Sequence, residues 1–296
     1  MEKILEIQRR FFRKEKNKFL DAVEEKLTEY GYEFERKKFG FFIKSVNLET
    51  KSTQPEYLFI AHYDTGTILP FWLSWLMSFF GINNQLLMLI PLFLFIGLLS
   101  ALSSIHIAFY IIFLLFYISL LTILIPNRKN FDDNTSGVIA LLSLAKKCKE
   151  HGIEHVKFLF VDNEEFGLFG SRAHRKYLRK RSLITPNTKV ISIDCVGNGK
   201  FPLIVRNSKS NYEEIFYKAF QENYEFCKSI RMILPCSDNY SFRKYGALNI
   251  SFVNKAVMPG GYTISKIHSS KDNFIDINQI EKLTDVLADI IHINNC

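Results

Sequence analysis

The sequence predicts an α/β fold, a three-layer sandwich around a mixed, largely parallel central sheet, with a transmembrane helical hairpin inserted in it. Three observations carry that reading. Short apolar runs bounded by turn residues alternate with amphipathic helical stretches, the pattern of a layered α/β protein. Several His, Asp and Glu residues fall just past the ends of those runs, where parallel sheets bind their ligands. From Thr65 to Asn127 there is no Asp, Glu, Lys or Arg. With charged residues at 23% of the chain, chance would produce such a gap about once in 10⁷ trials.

In chain order, Ile4, Ile7, Phe11, Phe19, Val23, Leu27 and Tyr30 place one apolar stripe on a helix over residues 3 to 30. Its basic residues (Arg9, Arg10, Arg13, Lys14, Lys16, Lys18) suit solvent or anionic lipid headgroups. Strand-like runs follow at Phe41 to Val46 and Tyr57 to Ala61, the second ending in His62-Tyr63-Asp64. Inside the uncharged stretch, Gln85 to about Ala101 and Ile107 to about Pro126 are two apolar runs joined by Ser103-Ser104-Ile105-His106. A span needs about 20 residues, so the pair reads as a transmembrane hairpin. Phe71 to Phe80, with Trp72 and Trp75, is too short to span and suits an interfacial or re-entrant helix.

Beyond the hairpin, Phe131-Asp-Asp-Asn-Thr-Ser-Gly137 leads into an amphipathic helix. A buried strand then delivers Phe158-Leu-Phe-Val-Asp-Asn-Glu-Glu-Phe-Gly-Leu-Phe-Gly-Ser171, followed by a basic helix to Arg181. Strands are expected at Lys189 to Ile193, Leu203 to Arg206, Ile230 to Leu234 and Leu248 to Val253, with helices at Asn211 to Tyr224 and Ile280 to Ile293. The organisation is thus a catalytic domain in two parts, residues 1–66 and 128–296, interrupted by an insert over 67–127.

Composition narrows the function. The net charge of +8 is spread along the chain, without the arginine-rich arm or aromatic signature of a nucleic-acid binder. Five scattered cysteines, without a C-x-x-C pair, read as thiols of a reducing compartment. The first ten residues lack an apolar core, so no secretory signal peptide is expected. Two spans with no charge except a possible one at His106 offer no plausible transport pathway.

The chemistry resides in the loops. Glu164 and Glu165 are adjacent, so their side chains leave the backbone in different directions: one can hold a metal while the other reaches a water beside it. An imidazole at His62 can bind a metal while Asp64 orients it. Taken in order, His62-Tyr-Asp64, Asp132-Asp-Asn-x-Ser-Gly137, Glu164-Glu-x-Gly-x-x-Gly-Ser171, an Asp after a strand (Asp194) and His268-Ser-x-x-Asp272 resemble the M28 metallopeptidases, the di-zinc aminopeptidase family. The resemblance covers about residues 40 to 295, the insert excepted.

It implies two Zn²⁺ ions, or other divalent metals, and a peptide substrate. His62 and Asp194 would bind the first ion, Glu165 and His268 the second, and Asp132 would bridge them. Glu164 would be the general base and Asp64 would orient His62. It further implies a non-proline cis peptide after the bridging aspartate, expected at Asp132–Asp133. Two departures from the family stand out: Ser237-Asp238-Asn239 where Ser-Asp-His is common, and the apolar insert itself. Because His62 and Asp132 must meet at one metal, the insert must cross the bilayer an even number of times. Arg128 and Lys129 at its exit place the catalytic domain on the cytoplasmic face. The expected protein is a two-span, membrane-anchored zinc aminopeptidase acting on hydrophobic or membrane-associated peptides, whose hairpin offers a surface for self-association. A single-zinc glutaminyl cyclase and a catalytically silent membrane receptor or scaffold are the rival readings.

Overall fold

A computed structural model describes residues 1–52 and 54–293. The helices are α1 (Glu2–Glu6), α2 (Arg13–Glu29), α3 (Phe71–Phe80), α4 (Gln85–Ser103), α5 (Ile107–Leu120), α6 (Gly137–Glu150), α7 (Phe169–Lys180), α8 (Glu213–Asn223) and α9 (Ile277–Ile293). The strands are β1 (Phe34–Phe39), β2 (Ser45–Thr50), β3 (Tyr57–His62), β4 (Val156–Val161), β5 (Lys189–Ile193), β6 (Phe201–Arg206), β7 (Lys228–Arg231), β8 (Leu248–Lys255) and β9 (Tyr262–Thr263).

The strands form one mixed sheet in the order β1-β2-β4-β3-β5-β8-β6-β7, with β9 beside β8. The central strands β4, β3, β5 and β8 are mutually parallel. Each is flanked on both faces, and alternation along β3 shows how. Tyr57, Phe59 and Ala61 enter the core under α2, α6 and α9, while Leu58 and Ile60 enter the one under α7. β4 divides the same way: Val156, Phe158 and Phe160 go to the first core, Leu159 and Val161 to the second. Burying each such side chain contributes about 1.5–3 kcal/mol. Both faces being covered makes these runs continuously apolar, which is why they were legible as strands.

The first forty residues depart from expectation. The helix expected over 3–30 breaks between α1 and α2, with Phe12 extended. There the Glu15 carboxylate accepts from the backbone N–H groups of Phe11 and Phe12 at 3.3 and 3.2 Å, a side-chain cap for amides a helix start leaves unpaired. The break lets Arg10 turn inward, where it is fully buried. Lys16 is buried too, bonded to Asp162 at 2.6 Å. These two basic residues therefore do not touch lipid. Of the strand expected at 41–46, residues 41–44 are instead the turn between β1 and β2, and only Ser45 and Val46 belong to a strand, the start of β2. Gly40 has φ +82°, and Phe41, Phe42 and Ile43 stand out in solvent. β2 itself carries Asn47 and Glu49 inward, so its polar sequence hid a central position. β7 lies two to three residues earlier than expected.

The uncharged stretch folds into α3 and two long helices. Residues 82–103 and 107–124 are each long and apolar enough to cross a membrane, and almost none of their side chains are buried against the rest of the protein. The chain leaves and returns at one place: the Asn127 amide donates to Gly66 C=O at 3.0 Å, and that of Ile68 to Ile125 C=O at 2.9 Å. α3 lies against the pair, with Trp72 Nε1 donating to Ser119 Oγ at 2.9 Å.

Gly170, at the start of α7, packs directly on the strand end that carries the paired glutamates. A Cβ there would sit 2.0 Å from Asp162 C=O. Gly170→Ala is expected to cost about 1–3 kcal/mol through forced backbone displacement, read as a lowered urea midpoint. An unchanged midpoint would mean that this junction is loose.

Candidate metal centre

The site forms where β3, β4 and β5 end. His62 is the last residue of β3 and Asp194 follows β5; Glu164 and Glu165 follow β4 in a tight turn. Two loops complete it: residues 131–136, before α6, and the segment around His268.

His62 Nε2 lies 3.3 Å from Asp133 Oδ1 and 3.5 Å from Asp194 Oδ1. His268 Nε2 lies 3.5 Å from Asp133 Oδ2, and His268 Nδ1 lies 3.7 Å from Glu165 Oε2. These spacings are long for hydrogen bonds. Those about His62 Nε2 are close to the separation of about 3.3 Å between two ligands of a tetrahedral ion whose bonds are about 2.0–2.1 Å. Among the described residues, two groups are able to hold an ion, His62–Asp133–Asp194 and Asp133–Glu165–His268. Asp133 belongs to both, offering one oxygen to each.

This corrects one sequence expectation. Asp132 is buried beside the cluster but faces away from it: its Oδ1 accepts from Gly197 N–H at 2.7 Å, and its own C=O accepts from Ser136 Oγ at 2.7 Å. Consecutive side chains diverge, so a shift of one residue exchanges a bridging role for a structural one. The cis peptide shifts by the same step, to Asp133–Asn134 rather than Asp132–Asp133.

The surrounding residues hold the donors in place. Asp64 stands 3.7 Å from His62 Nδ1, too far for a hydrogen bond. It accepts instead from the backbone N–H groups of Glu164 and Glu165 at 3.0 and 3.3 Å, so it orients the glutamate turn as well as facing the imidazole. Asp272 accepts from the backbone N–H groups of Asp132 and Asp133 at 2.8 and 3.1 Å. Asn134 ties the loop to β5, donating to Ile193 C=O and accepting from Cys195 N–H. Arg10 reaches the loop from the far side, with Nη1 donating to Thr135 Oγ1 at 2.9 Å and Nε to Tyr63 C=O. Gly66 lets Glu165 approach the root of the insert, for a Cβ there would lie 2.6 Å from its carboxylate.

The electrostatics indicate what the cluster lacks. Burial pushes the Glu164 carboxyl well above the usual range and that of Glu165 up to about 7, with neighbouring carboxylates adding to both. Burial works against charging His62 and His268, yet the carboxylates around them hold both above the ordinary histidine value. Glutamates and histidines both held above their ordinary values mark a shortage of positive charge in the cluster. Divalent cations supply that charge, and one Glu165 oxygen is buried without a hydrogen-bond partner. The donor set of imidazole and carboxylate therefore fits zinc-type ions.

Beside the donors is a pocket of about 190 Å³. Glu164 lines it, as do Met77 of α3, Ile82, Gln85 of α4, and Ile264 and Ile267. The insert thus forms part of the wall, and it is tied there: the Leu69 amide donates to His268 C=O at 3.0 Å, and that of Met258 to Phe79 C=O at 2.8 Å. Asp133 stood in the sequence motif without the role its position here suggests, and nothing in the apolar pattern singled out Met77 or Ile82 as facing the site. Asp272 appeared in a motif without a role, and Arg10 sat unmarked in a basic run.

Comparison with known proteins places the fold. The fold resembles glutaminyl cyclase from Porphyromonas gingivalis (TM-score 0.65, 15% identity, 99% of this chain and 95% of that one). It also resembles a Zn-dependent exopeptidase from Parabacteroides distasonis (0.62, 15%, 97% and 94%). A third likeness is to a leucine aminopeptidase precursor from Bacteroides thetaiotaomicron (0.61, 16%, 98% and 93%). No curated protein matches the chain in sequence. These likenesses establish the fold, a mixed α/β sandwich of the zinc-peptidase kind. The sequence model of peptidase family M28 matches residues 125–291, more than half of the chain, and the protein is a member of that family.

Proposed function

We propose that the protein is a membrane-anchored two-metal aminopeptidase. The observation that carries this reading is the Asp133 carboxylate, one oxygen toward His62 and the other toward His268. His62, Asp133 and Asp194 would hold one ion, and Asp133, Glu165 and His268 the other. Bound there, the ions would polarise the scissile carbonyl and acidify the attacking water. The chain's own groups do the rest. Glu164, in the pocket and raised by burial, takes a proton from that water and returns it to the departing amine nitrogen. Asp64 and Asp272 keep the donors aligned through the backbone amides they hold. A pocket of about 190 Å³ is small beside the roughly 300–1,000 Å³ of typical ligand sites. It has room for a terminal residue, not for a length of chain.

Residues 82–103 and 107–124 form the anchoring hairpin, supported by their length, apolarity and exposure. Residues 1–66 and 128–296 then make one catalytic domain, which Arg128 and Lys129 place on the cytoplasmic side. Met77 and Ile82 bring apolar surface from the insert into the pocket, which favours substrates with an apolar leading residue. The likeness to glutaminyl cyclase supports one alternative, cyclisation of N-terminal glutamine with only one cluster metal-loaded.

Three outcomes are expected. Incubated with a peptide library in lipid, the zinc-loaded protein should remove N-terminal residues stepwise. Glu164→Gln should do so about 10²–10⁴-fold more slowly with unchanged zinc content; ammonia loss from N-terminal glutamine would establish the cyclase instead. By elemental analysis after dialysis, Asp133→Asn should lose zinc while Asp132→Asn retains the wild-type stoichiometry, and the reverse would return the bridge to Asp132. Met77→Ala with Ile82→Ala should lower kcat/KM for leading Leu or Phe about 10-fold or more and change that for leading Ala little. An equal fall for all substrates would remove the insert from substrate selection.

A further inference from the structure

The turn between β1 and β2 is at the catalytic end of the sheet. β2 runs antiparallel to β4, with Leu48 opposite Phe160, so its start lies beside the end of β4, where Glu164 and Glu165 follow. Side-chain bonds fasten it there: Asn163 Nδ2 donates to Lys44 C=O at 3.2 Å and to Ser45 Oγ at 2.9 Å, and Arg13 Nη2 also donates to Lys44 C=O. β3 is parallel to β4 and ends at the same level, so the hairpin leaves from this face too.

The turn presents Phe41 and Phe42 at 84% and 93% exposure, with Ile43 at 44%. Across the Arg13 contact is Phe12, 54% exposed; Phe166 and Phe169 follow the paired glutamates at 45% and 39%. Phe11 joins the groups, its ring centroid 5.2 Å from that of Phe12 and 5.4 Å from that of Phe166. Aromatic side chains standing in water next to a catalytic site signal a surface that is covered in use. The flanking charge names the cover. Residues 36–44 and 166–181 contain no Asp or Glu, while Lys38, Lys44, Arg172 and Lys176 are exposed.

We propose that this phenylalanine rim inserts into the surface of an anionic lipid bilayer, the same one the hairpin spans, so that the metal site opens against the membrane. The proposal rests on the two-span reading of the hairpin and extends it. The hairpin holds the catalytic domain at one side of its face, and a second contact with the bilayer sets the domain's tilt. Phenylalanines at headgroup depth, ringed by lysine and arginine, fix its tilt. The pocket would then face substrates already lying in the membrane surface.

The full chain carrying Trp72→Phe and Trp75→Phe provides a silent background. Phe42→Trp is introduced at the rim, where exposure makes the change harmless to folding, and Phe95→Trp separately in α4. Each is reconstituted in phosphatidylcholine–phosphatidylglycerol vesicles with brominated acyl chains. Quenching of both tryptophans, with a blue shift and loss of acrylamide quenching at position 42, is the expected result. Quenching at position 95 with position 42 still open to acrylamide would overturn this proposal, leave the hairpin reading intact, and assign the rim to a protein partner. Absence of quenching at both positions would overturn the hairpin reading and this proposal together. In phosphatidylcholine alone, quenching at position 42 should fall; undiminished quenching would overturn the role given to the basic flank.

Discussion

Much of the metal centre depends on one carboxylate that is not among its six donor contacts. Asp272 accepts from the amides of Asp132 and Asp133 at once, and these bonds fix which of two adjacent aspartates faces the histidines. Because the pair sits in a buried, acid-rich environment, a charge-assisted contact of this kind is worth more than it would be in water. It also sets the direction of the backbone entering the Asn134 contacts, so β5 and the entry to α6 take their places from the same anchor. Arg10 closes the arrangement from behind, its cation offsetting carboxylates on both sides while its guanidinium rests 4.4 Å from the Phe19 ring centroid.

The legibility of the sequence follows from where information is local. β3, β4 and β5 are covered on both faces, so their apolar runs announce them without reference to neighbours. α3 is bounded by Pro70 and Gly81, and its limits were readable to the residue. The uncharged stretch stood out because exclusion of every charged side chain over such a length has few causes, and it folds into two apolar helices long enough to cross a membrane. β1 and β2 were not, because their order is decided by pairing with β4 and by the partners found for Asn47 and Glu49, contacts far apart in sequence. The choice between Asp132 and Asp133 failed for the same reason: both are aspartates, and what separates them is a carboxylate some 140 positions away.

Burial of basic residues shows the limit of charge counting. Arg10 and Lys16 belong, by composition, to a solvated or lipid-facing run. In the folded chain they satisfy Asp162, Tyr63 C=O and Thr135, and they tie the N-terminal segment to the loops of the catalytic face. An unpaired charge in their place would be costly, so this segment is part of the catalytic body and not an appendage to it.

The chain enters and leaves the insert through neighbouring backbone bonds, Asn127 to Gly66 and Ile68 to Ile125. To the sheet, everything between is a closed loop whose length hardly matters, since loop entropy grows only slowly once the ends are held together. A chain with a few residues at this point could gain a long apolar insert without disturbing a strand, and a shortened chain could shed it again. What such a chain would forfeit is the wall that Met77 and Ile82 give the pocket. The insert and the pocket wall it supplies are therefore gained or lost together, at one junction in the chain.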